Sequence, residues 1–416
     1  MGNLLPLKSS YSLILKAKSS LQKRLGLACP VFFLFVFSDS TLIAQNQNKA
    51  YNYIPYAEGF LAYPNDLEAN GKAGLGVVGM DIDPQLGISN NPALLVSNRK
   101  YVFGRVNNTF SSGSGTIRKD MVAFYTGSLA WGIDSVQGLA VEFVYHSYGY
   151  ILARDSITGI FKKYPELNLA FGARYARRLT DLCRIGIGIK YYHTNYGVGF
   201  NYYGKKLISQ GVSTDWGIAW SDKSSFKSGK KFAWGIGVLL QNLGPKVGIE
   251  DLPVSKSFLP QNLRIGANLI LLGEDNPNST RVMFGYELNK WLIPTPPLRN
   301  GTTIVQGRNN NVSSFVGTFQ SFIDAPFGFQ EELVELNHRF GIEINQNINK
   351  NWFWAVRTGY YYAPISKGGV QYFSFGGSLR YKGVSLSTFV KANPTYTKTV
   401  VTEPFGIQLS YLLLLK

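Results

Sequence analysis

Cysteine is almost absent from this chain, two among 416 residues, and histidine nearly so, with three. Cys29 falls in an N-terminal stretch that reads as a secretory leader, so Cys183 alone would remain afterwards. Neither an intrachain disulfide nor a cysteine zinc cluster is then possible. His146, His193 and His338 stand far apart with no carboxylate at metal-ligand spacing, and His146 and His193 fall at strand ends, where exposed imidazoles are common. No G-x-S-x-G elbow is present. Gly71, Gly74 and Gly76 lack the preceding strand and following helix of a dinucleotide loop. Beyond the leader, no apolar run reaches the roughly 20 residues that a spanning helix needs. The chain is therefore expected to hold no cofactor or metal, to carry out no catalysis, and to enter a membrane, if at all, as strands.

Acidic residues are also scarce, 25 against 42 Lys and Arg. Residues 1–44 are expected to be a signal peptide, with Lys16, Lys18, Lys23 and Arg24 as its basic region, 25–37 as its apolar core and Leu42, Ile43 and Ala44 before the cleavage point. Removing it takes away five basic residues and one acidic one, leaving +13. Such an excess favours anionic surroundings, outer-membrane lipid and lipopolysaccharide among them. No nucleic-acid-binding motif accompanies it, so nucleic acid is not expected as a partner.

What is abundant is glycine (44), phenylalanine (27) and tyrosine (25), yet the mean hydropathy is only −0.04. Strands with one greasy and one polar face average out in this way. In 370–381, Phe373, Phe375, Leu379 and Tyr381 alternate with Ser374, Gly376, Ser378 and Arg380. Ile185, Ile187 and Ile189 alternate with glycines between Arg184 and Lys190. About 14 such segments succeed one another, near 101–109, 119–128, 137–146, 165–176, 183–193, 212–221, 230–241, 261–272, 279–290, 336–346, 351–362, 370–381, 383–391 and 403–413. Each is about ten residues long, the length of a tilted strand that crosses the hydrocarbon. Every second connection is short, as in a barrel with both termini on the periplasmic side. Trp131, Tyr148, Tyr192, Trp220 and Tyr361 stand at strand ends, where an aromatic girdle is expected.

The predicted fold is all-β: a 14-stranded antiparallel transmembrane barrel over 101–416, preceded by a plug or hatch segment over 45–100 that is rich in Gly, Asn, Asp and Pro. The inward faces then carry Glu142, Glu166, Arg174, Arg184, Lys190, Asp215, Arg264, Arg281, Glu287, Arg339, Glu343, Arg357 and Arg380. Gly172, Gly186, Gly235, Gly266, Gly285, Gly341 and Gly376 leave room among them. These charges either pair across the lumen and hold the plug, or line a path for a polar or anionic ligand. The longest connection, about 291–335, would lie outside the cell.

Within it and just beyond, DAPFGFQEELVEL (324–336), RFGIE (339–343), AVRTGYYY (355–362) and KGGVQYFSFGGSLRY (367–381) closely resemble the PorV family, outer-membrane barrels of the type IX secretion system whose fold is like that of the FadL fatty-acid transporters. NKWLIPTPP (289–297) and 63–95, with Asn91, Pro92 and Ala93 at the family's Asn-Pro-Ala element of the plug, add to the likeness. The sequence departs from the family at Phe327, where a glycine is usual. The resemblance implies a shuttle without catalysis or cofactor. It would bind the C-terminal signal domain of cargo leaving the SprA/Sov translocon barrel and deliver it to a surface complex containing the PorU sortase. Alternatives are a FadL-like transporter of hydrophobic small molecules and a structural barrel like PorQ. The candidate docking loop comprises Pro294, Pro296 and Pro297 with Asp324, Ala325, Pro326, Phe327, Gly328 and Phe329. The second half of this set docks a partner or folds inward to close the lumen, and Glu331, Glu332 and Glu335 otherwise form a solvated run at the strand entrance.

Overall fold

The computed structural model describes residues 51–63, 65–79, 84–111, 122–154, 161–202, 205–226, 231–250, 256–273, 279–367, 369–392 and 405–415. The expected signal peptide and the first residues of the 45–100 segment lie outside these. Asn52–Lys416 forms one compact unit.

Fourteen strands close into one antiparallel barrel. They are β1 (Tyr101–Ser111), β2 (Val122–Gly132), β3 (Gln137–Ser147), β4 (Leu167–Arg178), β5 (Cys183–Asn195), β6 (Ile208–Ser225), β7 (Lys231–Leu243), β8 (Asn262–Leu272), β9 (Arg281–Trp291), β10 (Asn337–Asn347), β11 (Trp352–Tyr362), β12 (Gln371–Tyr381), β13 (Val384–Ala392) and β14 (Phe405–Leu414). Each pairs with its neighbour in sequence. The seam joins β1 to β14, with Tyr101 opposite Leu414 and Arg105 opposite Ser410. Closure leaves no strand edge unpaired, the condition that a sheet must meet in lipid.

Period two decides which residues face which way. Along β5, Ile185, Ile187, Ile189 and Tyr191 are exposed, while Arg184, Lys190 and Tyr192 are buried. Along β12, Phe373, Phe375, Leu379 and Tyr381 are exposed, and Ser374 and Ser378 are buried. The greasy residues are thus on the outside, the reverse of a soluble protein. In the described residues no helix is long and apolar enough to cross a membrane. The expected girdle needs one correction: Tyr192 and Tyr361 are buried and face inward, because the alternation puts Tyr191 and Val356 on the outer face and their odd-step neighbours on the inner one. Exposed Trp131, Trp352 and Tyr381 do stand at the rim of the short turns, the last two with ring centroids 4.7 Å apart.

Two short helices, α1 (Leu67–Asn70) and α2 (Pro84–Ser89), precede β1. They lie within the barrel, against the inner faces of the strands. Asp66 caps α1, accepting from the Glu68 and Ala69 amides. The connection from β9 to β10 carries a small hairpin (298–300 with 303–306) and two helices, α3 (Ser314–Gln320) and α4 (Phe329–Val334).

Candidate functional site

Two sets of buried charges organise the molecule. The first lies in the lumen and holds residues 65–79 and 84–97. Glu343 on β10 takes Lys72 Nζ at 2.9 Å and Arg357 Nε at 2.8 Å, and Arg357 Nη2 reaches Glu68 at 2.7 Å. Glu287 on β9 accepts the Gly76 and Val77 amides at 2.6 and 2.7 Å and pairs with Arg264 at 2.5 Å. Arg264 in turn donates to the Gly74 carbonyl and to Asn90. Arg105 meets Glu142 at 2.9 Å and Asp66 at 3.9 Å. Asp215 sits where the register between β6 and β7 shifts, and takes Lys190 at 3.0 Å, Arg174 at 3.2 Å and the Asn242 amide at 2.9 Å. A charge taken out of water is tolerable only with such partners.

Asn91, Pro92 and Ala93 are all buried at the centre of this arrangement. Asn91 Nδ2 donates to the carbonyls of Val77 and of Ile218 on β6, and its Oδ1 accepts the Ala93 amide. The wall makes room for them by omitting side chains. A Cβ on Gly186 would lie 2.4 Å from the Ala93 nitrogen, and one on Gly376 would lie 2.9 Å from the Gly71 Cα.

The remaining expected luminal residues are placed less centrally. Arg184 donates to Ser221 Oγ at 2.6 Å. Glu166, at the long-loop end of the wall, accepts from Asn168. Arg339 and Arg380 are half-buried over aromatic rings, 4.8 Å from Tyr361 and 4.3 Å from Phe353. Arg281, at the turn end of β9, is exposed. His146, expected to be an exposed imidazole, is fully buried, with its ring 3.4 Å from that of Phe124 and neither nitrogen hydrogen-bonded. Alternation puts it on the inner face.

The second set fastens the long loop to the rim. Glu331, Glu332 and Glu335 are buried, which overturns their reading as a solvated run. Lys290 at the end of β9 donates to Glu332 at 2.8 Å and to Glu335 at 2.6 Å. Lys367, in the hairpin between β11 and β12, pairs with Glu331 and, at 2.7 Å, with Glu335. Glu332 Oε1 also accepts the amides of Asp324 and Ala325, and Glu331 Oε2 that of Phe327. A charged, hydrogen-bonded base of this kind has little cause to be in water.

Of the residues expected to dock a partner, Pro294, Pro297, Asp324, Ala325 and Pro326 are buried, and Pro296 and Phe327 half-buried. Only Gly328 and Phe329 are exposed. The exposed apolar surface lies instead on the outer faces of the helices: Phe315 (75%), Val316, Phe319 (62%), Phe322 and Ile323 on and after α3, and Phe329 (75%) and Leu333 on α4. Their helical spacing was readable in the sequence. The opposite face of α3 is polar and close to the wall. Ser314 donates to the Gly244 carbonyl, Thr318 to Gln261, and Gly317 admits the Phe258 ring at a distance where a Cβ would clash.

The family model of the type IX secretion system protein PorV matches residues 49–298. The chain belongs to the PorV family. It is thus an outer-membrane component of the type IX secretion system, of a family whose members serve secretion. The PorV match takes in the luminal segment, β1 to β9 and the NKWLIPTPP stretch, and ends before the loop helices. No curated protein matches the chain. Among solved structures it is similar to a FadL homologue from Pseudomonas aeruginosa, at 10% identity and TM-score 0.41 over 87% of this chain and 99% of that one. It is also similar to the CymD monoaromatic hydrocarbon channel, at 11% identity and TM-score 0.42 over 85% and 96%. A third is the Pseudomonas putida toluene transporter TodX, at 10% identity and TM-score 0.39 over 83% and 95%.

Proposed function

We propose that this PorV-family barrel is a shuttle. It receives cargo signal domains at a SprA/Sov-type translocon barrel and hands them to a PorU-type sortase complex, using the outer faces of α3 and α4 at the cell-surface rim as its docking face. One observation carries the reading: Phe315, Phe319 and Phe329 are held out in water by helices whose other faces are pinned to the rim. A monomeric surface rarely keeps so many large apolar side chains together without a partner. Pro294 stiffens the base of this platform, lying against Gly317 of α3. Residues 65–79 and 84–97, with Asn91, Pro92 and Ala93, act as the plug, and the paired luminal charges act as its fastening. That arrangement favours a carrier over a FadL-like route for hydrophobic molecules, because the cavity beside Phe60 and Tyr63 is walled by Glu142, Arg174 and Lys190.

The test is capture from a type IX-competent cell under mild detergent. The tagged wild-type chain should bring down a very large barrel and signal-domain cargo. The Phe315→Ser, Phe319→Ser, Phe329→Ser variant should lose roughly tenfold or more of that capture while migrating as a folded barrel. Equal capture by both would remove the docking face from the proposal, and co-purification with the attachment complex alone would favour a PorQ-like structural role.

A further inference from the structure

Within the rim anchor one group stands apart. The three glutamates of the α4 segment have their carboxylates engaged by Lys290, Lys367, Thr295 or a backbone amide. Asp324 is only 1% exposed, and no side chain or ammonium group holds either of its oxygens. The charges that act on it are those of Glu332 and Glu335 from the α4 segment and Lys290 from β9, and Lys367 from the β11–β12 hairpin ties Glu331 and Glu335 into the same cluster. Its backbone carbonyl lies against Gly307, beside Pro297. Four carboxylates thus share two ammonium groups, and the fourth carboxylate is the one that neither ammonium holds.

We propose that this anchor is a proton-operated latch: with Asp324 neutral the loop is locked on the rim, and ionisation of Asp324 loosens residues 324–335 and lets the already exposed α3–α4 face move to fit its partner. The inference rests on the reading of that face as the docking surface. Ionisation places a negative charge in a dry site that already holds one more carboxylate than ammonium groups. Loosening the loop lets water reach the carboxylate, which is how the site relieves the charge.

Burial, and after it the carboxylates of Glu332 and Glu335, push the Asp324 carboxyl up to about 7, and the backbone of Thr295 and the charge of Lys290 offset only part of that rise. In a loosened loop it would ionise near the ordinary value of about 4. Below about pH 4 it is protonated in both states and pH changes nothing. Between about pH 4 and about pH 7 locking requires a proton, so the lock weakens as pH rises, and above that range the weakening is complete. Glu335 works in the opposite sense. Against its burial, Lys290 and Lys367 hold it below the usual carboxylate range, so its contribution is lost only in acid, beneath the Asp324 window.

The experiment is hydrogen–deuterium exchange of the 324–335 amides in the intact, bilayer-embedded chain from about pH 5 to about pH 8, corrected for intrinsic exchange. Protection in the wild type should fall roughly a hundredfold across that range. Asp324→Asn should stay as protected throughout as the wild type is at the acid end. Glu332→Gln removes a neighbouring negative charge, so its fall should end at a lower pH. Flat wild-type protection, or an equal fall in Asp324→Asn, overturns the latch. Partner capture measured over the same range separates the two ideas. Capture that rises with pH in the wild type but not in Asp324→Asn supports the coupling. A latch that opens with capture unchanged overturns the regulatory role and leaves the docking reading to its own test.

Discussion

The lumen and the rim both bury charge, and they balance it differently. In the luminal ion pairs described above, six cations (Lys72, Arg105, Arg174, Lys190, Arg264 and Arg357) meet six carboxylates (Asp66, Glu68, Glu142, Asp215, Glu287 and Glu343). At the rim, among the described residues, the cluster of Asp324, Glu331, Glu332 and Glu335 holds two cations, Lys290 and Lys367. Balance in a dry site makes a fixed joint, since moving any member strands another. Imbalance leaves a joint whose strength depends on protons. On the latch proposed above, the luminal segment is built to stay and the loop to be let go.

Mutation in the lumen should bear hardest on this contrast. Glu343→Ala leaves Lys72 and Arg357 without their shared partner and should cost about 3–5 kcal/mol of global stability, read from the denaturant midpoint of the refolded barrel. A loss under about 1 kcal/mol would mean that water reaches the lumen freely. At the rim, Glu335→Ala removes the acceptor shared by Lys290, Lys367 and Thr295. It should weaken the closed loop by about 2–3 kcal/mol, seen as faster proteolysis or exchange within 324–335, with the global midpoint unmoved. A shift of the whole transition would make the rim part of the same cooperative unit as the lumen. The smallest effect belongs to the proposed docking face, where the Phe315→Ser, Phe319→Ser, Phe329→Ser variant should change barrel stability by no more than about 0.5 kcal/mol per site.

Much of the wall could be read directly. Ile185, Ile187 and Ile189 between Arg184 and Lys190 leave one register for β5, because a slip by one residue would put two cations into lipid. The inward positions of Glu287, Glu343 and Arg357 come from the same count. The partners of these residues could not be read. Lys72 and Glu343 are 271 residues apart, and Glu331 meets a lysine from another hairpin, so nothing local marks either pair. The run QEELVE has the composition of a solvated helix, and only the fold shows that its acids face Lys290 and Lys367. Burial along the long loop could not be read for a related reason: its prolines and DAPF turn form the buried base, whereas the helical spacing of Phe315, Phe319 and Phe322 carries the exposed apolar face.

The glycines of the inner wall have a further meaning. Gly186 against Ala93 and Gly376 against Gly71 are the negative of a cast, hollows shaped by what fills them. Mould and cast cannot drift apart: a methyl group gained on one surface must be given up on the other. The shape of the chain about Gly71 and Ala93 is thus written a second time, in relief, across strands that lie far downstream.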